Sequence, residues 1–415
     1  MLRHTRLAQG LQVVTESMEG VRSVAAGFWV GTGARDEDPA QAGASHFLEH
    51  LLFKGTPTRS AQEIARRIDA VGGDMNAFTA REYTAFYLRL LGEDLPLGLD
   101  VLSDIIWSPL LAQADVDAER QVIAEEILMH ADEPADVVHE LAAAALFPGH
   151  PLGRDVLGTT ETVEAMTPPE IRGFFEAHYR PANMVFAAAG ALDHDAVVEG
   201  IEARFAGVAG GTSPTRVAPS APPLASSLAS RPSEQAHLVV AMAAPDRHDE
   251  RRWALDVAEH ALGGGVSSRL FQEIREVRGL AYSVYSDRVA YHDAGSLLVY
   301  VGTSPARLAE VLSLVHCELD AMAKEGPSPA ELATAKGHLR ASLLLALEDP
   351  GARMSRIGRS QLLHGEILPV QEILSKIEAV GAQEVAALAA EVLGGRRVVA
   401  VAGPFEEGEL DLQAR

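Results

Sequence analysis

The chain of 415 residues carries 35 basic and 58 acidic residues, a formal charge of −23, which argues against the basic surface that nucleic-acid binding needs. Its single cysteine, Cys317, excludes an internal disulfide and any cysteine-based metal cluster. Hydrophobic residues reach 47% and aromatics only 5%, so the cores must be filled by Ala, Val and Leu, and no apolar run approaches the roughly 20 residues of a membrane span.

At roughly 150 residues per domain the length suggests two or three domains. Leu11–Glu16 and Val21–Val30 read as strands. After a loop with Gly31, Gly33 and Pro39, residues Gln41–Lys54 read as a helix stopped by Gly55 and Pro57. Ala61–Val71 is a second helix, closed by Gly72 and Gly73, and Met75–Leu90 reads as one strand. Leu95–Trp107, Asp115–His130 and Pro168–His178 read as helices, and Met184–Ala189 as a strand ending at Gly190. The amino-terminal Met1–Gln12 lacks the apolar stretch of a signal peptide, so a soluble, cytoplasmic protein without a membrane partner is expected.

Residues 207–232 are dense in Gly, Pro, Ser and Ala and read as a linker. It separates residues 1–206 from 233–415, and the two halves resemble diverged copies. Glu49-His50 recurs as Glu259-His260, and Gln62-Glu63-Ile64 as Gln272-Glu273-Ile274, both at an offset of 210 residues. Asp132-Glu133-Pro134 resembles Glu348-Asp349-Pro350, and Gly190 resembles Gly403, at offsets of 216 and 213. Four matches in one order with a drifting offset point to an internal duplication.

His46-Phe47-Leu48-Glu49-His50 carries the chemistry. On a helix, residues four apart share a face, so both imidazoles can reach one ion. Glu49 lies on the same face and can take a proton from the hydrolytic water without being a ligand. The order is the inverse of H-E-x-x-H, an inverzincin pattern. Zinc needs a third protein ligand, and the helix over Asp115–His130 offers Glu119, Glu125 and Glu126. Glu119, Val122, Ile123 and Glu126 fall on one face. Glu126 is then the ligand, Glu119 a carboxylate that orients a ligand imidazole, and Glu125 points away. The spacing of these acids alone also fits a solvated charged face.

His46–His50, with Glu126 following 76 residues after His50, resembles the pitrilysin, insulysin and mitochondrial processing peptidase family, and most closely its short bacterial processing-peptidase-like members. Gly72–Thr79, His150–Arg154, Leu157–Thr159, Ser267–Phe271 and Arg275–Tyr282 are similar to further segments of that family. The resemblance implies an α+β fold of two homologous halves, each a mostly antiparallel sheet covered by helices, facing each other across a chamber. It implies a zinc endopeptidase with one ion per chain, acting on unfolded peptides or presequence-like segments, as a homodimer or as a heterodimer with a related subunit.

By the same resemblance, Asn76, Ala77 and Phe78 lie on an edge strand that pairs with the substrate backbone, a β-augmentation. Tyr282 would donate to the oxyanion and Arg275 would grip a substrate carbonyl. Spacing alone reads these two as an ordinary helix arginine and a core-edge tyrosine. In the second copy Asp256 stands where His46 does and Ser342 opposite Glu126, so that half is expected to be non-catalytic. Gly263-Gly264-Gly265 lacks the G-K-[ST] of a phosphate loop and reads as a helix terminus. The rival to an enzyme is a non-catalytic or regulatory subunit of a heterodimeric peptidase; the intact donor set, with Arg275 and Tyr282 on the same chain, favours the enzyme.

Overall fold

The computed structural model describes residues 1–205, 210–224, 226–406 and 408–410. From the amino terminus come β1 (Leu2–Arg6), β2 (Gln12–Ser17), β3 (Ser23–Val30), α1 (Ala44–Leu51), α2 (Ala61–Asp69), β4 (Asp74–Thr79) and β5 (Thr84–Leu91). Next are α3 (Leu95–Trp107), α4 (Gln113–Asp132), α5 (Pro134–Leu146), α6 (Thr160–Ala165), α7 (Pro168–His178), β6 (Met184–Gly190) and α8 (His194–Arg204). Then follow β7 (Ser226–Ser230), β8 (Ala236–Ala244), α9 (Arg252–Gly263), β9 (Ala281–Ala290), β10 (Gly295–Thr303) and α10 (Leu308–Glu325). The chain closes with α11 (Pro329–Ala346), α12 (Pro350–His364), α13 (Val370–Ala379), α14 (Ala382–Leu393) and β11 (Arg397–Gly403).

These elements form two units. Unit 1 comprises Met1–Ile127, Asp155–Arg216 and Leu344–Leu368; unit 2 comprises Leu128–Arg154, Val217–Leu343 and Pro369–Arg415. Unit 1 holds a sheet of order β1-β2-β6-β3-β5-β4, and unit 2 one of order β7-β11-β8-β10-β9. Each contains one parallel pair, β2 with β6 and β7 with β11, and is otherwise antiparallel. Dropping β1, the two orders and strand senses coincide, as the internal duplication requires.

Side chains alternate across each strand, so each sheet buries two separate apolar layers. In β3, Val24, Ala26, Phe28 and Val30 join the core under α1, α2 and α3. Ala25 and Trp29 point the other way, to Met354 and Ile357 of α12. In unit 2, Leu238, Val240 and Met242 face α9, α10 and α14, while Val239 and Ala241 face Val138, Ala142 and Ala145 of α5. Neither unit is therefore a contiguous stretch of chain: α12 completes unit 1 and α5 completes unit 2. Both helices begin alike, with an acidic N-cap (Glu133, Asp349) followed by Pro at the first turn, where proline's missing N–H costs nothing.

Three local expectations change. The strand read over Met75–Leu90 is two strands, because Arg81-Glu82 turns the chain; Ala80 N–H donates to Tyr83 O at 2.8 Å and Glu82 is drawn into a buried pair with Arg35 at 2.6 Å. The helix read over Gln41–Lys54 is α1 alone, because Gly43 adopts φ +94° and Pro39–Gln41 form a separate 3-10 turn. Within residues 207–232, the segment Ser226–Ser230 is strand β7 and residues 210–224 lack helix or strand, while Gly207, Val208, Ala209 and Ala225 lie outside the described residues. Arg216 ties this segment to unit 1, bonding Asp36 Oδ2 and Glu82 O, each at 2.7 Å. The glycine run does end a helix, since α9 stops at Gly263.

Candidate metal centre

Helix α1 is short, eight residues, and its position is fixed at its start. The buried Glu37 carboxylate accepts from Gly43 N–H at 2.8 Å and Ser45 N–H at 2.7 Å. These are orphan donors of a helix amino end, where an anion is also favoured by the helix dipole. Phe47, Leu48 and Leu51 are buried in the unit 1 core, which turns His46, Glu49 and His50 to the opposite face.

Helix α4 brings the acids. Ile123 is fully buried and Glu119 is 6% exposed, whereas Val122 is 49% exposed; Glu125 is exposed, as expected. Glu126 Oε2 stands 3.6 Å from His46 Nε2 and 3.6 Å from His50 Nε2. That is too long for a hydrogen bond and close to the roughly 3.4 Å that separates neighbouring donors around a tetrahedral zinc with 2.0–2.1 Å bonds. The donor atoms of His46, His50 and Glu126 all lie within 4.8 Å of one another, and no other trio of such residues does so among the described residues. Two imidazoles and one carboxylate are borderline and hard donors that suit zinc, so the residues fit the ion.

Glu119 supports this set. Its Oε2 accepts from His50 Nδ1 at 3.0 Å, which leaves Nε2 as the donor toward a metal. Its other oxygen pairs with Lys54 Nζ at 2.6 Å, which offsets the cost of burying the charge. Sequence reasoning missed Lys54, although it lies one helical turn beyond His50.

Glu49 is half-buried beside the donors. Burial pushes its carboxyl pKa up, and a hydrogen bond from Thr79 opposes the shift. Thr79 Oγ1 donates to Glu49 Oε2 at 2.7 Å. Thr79 ends β4, which pairs with β5 on one side only and is the sheet edge. Along β4, Met75, Ala77 and Thr79 face α1, while Phe78 lies on the other face among Trp29, Tyr83 and Tyr87, with ring centroids 5.7–6.2 Å apart. Of the expected substrate-binding residues, Ala77 therefore shares the face of Glu49 and Phe78 does not. The Ala77 N–H is held by Asn76 Oδ1 at 2.8 Å.

Arg275 and Tyr282 meet on unit 2. The Arg275 guanidinium lies 4.6 Å from the Phe271 ring centroid and 4.9 Å from that of Tyr282, and Tyr282 is 81% exposed. The two rings hold the guanidinium in place, and its Nε stands 3.6 Å from Glu276 Oε1.

The unit 2 counterpart of α1 is closed by other means. Asp256, at the place of His46, pairs with Arg288 at 2.7 Å. His260 stacks on His338 at 4.0 Å. Glu259 accepts from Ser286 Oγ at 2.7 Å, and burial pushes its carboxyl up to about 7. A carboxyl raised in the folded state costs stability as pH rises from its unfolded value to its folded one, because only the unfolded chain ionises there. The Glu259 penalty is thus absent below about pH 4.5 and complete above about 7, amounting to at most about 3 kcal/mol. Glu259→Gln is expected to raise stability at pH 8 and leave it unchanged at pH 4, measured by urea unfolding at both; an equal change at the two pH values would contradict the assignment.

Two family models match this chain: "Insulinase (Peptidase family M16)" over residues 12–160 and "Peptidase M16 inactive domain" over 165–339. The chain belongs to peptidase family M16. Among M16-family relatives, it is 47% identical to an uncharacterized zinc protease of Streptomyces coelicolor, across 98% of this chain and 90% of that one. An uncharacterized zinc protease of Bacillus subtilis is 36% identical, across 97% and 98%. The crystal structure of a peptidase M16 inactive domain from Pseudomonas fluorescens superposes with a TM-score of 0.90 at 20% identity, covering 98% of each chain, and so shares the M16 fold. No helix among the described residues is long and apolar enough to cross a membrane.

Proposed function

We propose that this chain is a zinc endopeptidase that hydrolyses unfolded peptides or presequence-like segments, with one ion per chain held by His46, His50 and Glu126. The observation that carries the reading is the complete donor trio in unit 1 with a half-buried carboxylate, Glu49, beside it. When bound, the ion would supply Lewis acidity to the scissile carbonyl and lower the pKa of the attacking water. Glu49 takes the proton from that water and returns it to the leaving amine.

The open edge of β4 at Asn76, Ala77 and Phe78 is assigned to the substrate backbone, which favours extended, unfolded peptides. Pairing there requires Asn76 to release the Ala77 N–H. Arg275 and Tyr282 are assigned to the substrate carbonyl and its developing oxyanion. A homodimer, or a heterodimer with a related subunit, is the proposed assembly. A purely non-catalytic subunit is the weaker reading, because His46, Glu49, His50 and Glu126 are all present.

Metal removal tests the reading. Cleavage of a quenched-fluorescent peptide is expected to fall at least about 100-fold after chelation, and to return with one equivalent of zinc. Undiminished cleavage by protein shown to be metal-free would defeat it.

A further inference from the structure

Thr79 is a residue that the family-level reading leaves without a task. Its hydroxyl donates to Glu49 Oε2 at 2.7 Å, and its next acceptor among the described residues, Ser45 O, is 3.5 Å away. The second distance is at the limit of a hydrogen bond, so the hydroxyl is committed to the carboxylate. A glutamate has three side-chain torsions, and on a half-buried helix face it must be held in one of them to act on a fixed water. Oε2 takes the Thr79 hydroxyl, and the Thr79 backbone N–H also bonds the carboxylate, so one residue holds it at two points.

The location of Thr79 adds a second constraint. It is the last residue of β4, directly paired with Thr84 of β5. The strand that presents its edge and the base that acts on the peptide are therefore joined at one residue, two beyond Ala77, through its hydroxyl and its backbone N–H. In unit 2 a hydroxyl of the corresponding edge strand also reaches the glutamate, but from a different position. Ser286, two residues before Arg288, which pairs with Leu297 as Thr79 pairs with Thr84, donates to Glu259 Oε1 at 2.7 Å. A contact of this kind between edge strand and helix therefore forms in unit 2 as well, beside residues that offer no donor trio among the described residues. In unit 1 alone, the carboxylate so held adjoins three metal donors.

We propose that Thr79 is a positioning residue for catalysis, fixing the Glu49 carboxylate so that one oxygen is presented to the reacting water and coupling that orientation to the substrate-pairing edge. The proposal rests on the reading of Glu49 as the base. It concerns the orientation of that base and not the affinity for substrate or metal.

Thr79→Val keeps the β-branched shape and removes the donor, and Thr79→Ser keeps the donor. In peptide cleavage by the zinc-loaded protein, Thr79→Val is expected to lower kcat by about 10- to 100-fold with KM within about twofold, a share of what general-base catalysis provides. Thr79→Ser is expected to stay within about threefold of the parent, and in a Glu49→Gln background Thr79→Val should cost nothing further. Zinc per chain, measured by mass spectrometry, should be equal in all variants.

A binding arm needs no turnover. A dipeptide hydroxamate that chelates the ion also bonds the base carboxylate, and Thr79→Val is expected to weaken it about tenfold. A Thr79→Val kcat near that of the parent, a Thr79→Ser variant as slow as Thr79→Val, or unchanged hydroxamate affinity would each overturn the proposal. Should the parent bind hydroxamate yet cleave no peptide, the peptidase reading fails while the hydroxamate comparison still decides the role of Thr79.

Discussion

Glu49→Gln is expected to retain one zinc per chain and to lose about 10³-fold or more of kcat, within the range attributed to a positioned general base. The substitution is nearly isosteric, and the Gln carbonyl oxygen can still accept from Thr79 Oγ1, which now reaches Glu49 Oε2 at 2.7 Å. What is lost is the site that takes and returns the proton. Zinc should be kept because the donor trio is His46, His50 and Glu126, with Glu49 outside it. Glu49 and Glu126 also repel each other, so neutralising one of them should not weaken the site. Zinc content by mass spectrometry and peptide cleavage on the same sample provide the check. Parent-like cleavage removes Glu49 from the mechanism, and a metal-free variant makes it a ligand instead.

The candidate donor trio was legible because helical geometry translates directly into sequence spacing. His46 and His50 share a face at any helix position, and periodicity puts Glu119 and Glu126 on one face of their helix and Glu125 off it, without deciding between the first two. The internal repeat was legible for a similar reason: Pro134 and Pro350, each after an acidic residue, mark the starts of equivalent helices. Residues whose role depends on non-local contact were not legible. Thr79 is unremarkable within β4 until the strand is laid beside α1. Lys54 looks like a solvated helix-end lysine until Glu119 arrives from a helix about 65 residues away. The opposed facing of Ala77 and Phe78 follows from strand alternation, but which face meets Glu49 depends on the layer order, which no local pattern encodes. The turn at Arg81-Glu82 was hidden inside an otherwise strand-like run because its cause, the buried partner Arg35, lies 47 residues earlier.

The exchange of α5 and α12 has the largest consequence for stability. Residues 1–206 look like a self-sufficient half by length and composition, yet expressed alone they are expected not to fold cooperatively. One face of their sheet, carrying Val14, Ala25, Trp29, Val185, Ala187 and Ala189, is covered by Met354 and Ile357 of α12. Those two side chains are 1% and 0% exposed, and burying each is worth about 1.5–3 kcal/mol. Removing α12 also strips Arg353 and Arg356 from the partly buried Glu16 and Gln361 from Gln12. It leaves the Trp29 indole, against which Gly358 packs without room for a side chain, facing water. The sum matches or exceeds much of the 5–15 kcal/mol that typically holds a folded protein together. The fragment also retains α5, whose Val138, Ala142 and Ala145 would have no sheet to cover. A truncated chain with residues 1–206 should therefore bind a hydrophobic dye and melt without a sharp transition, while co-expression with residues 207–415 should restore a cooperative melt, because that partner fragment supplies α12 and receives α5. A sharp two-state melt of residues 1–206 alone would show that α12 is dispensable, and would move the source of unit 1 stability to the helices on the other face of its sheet.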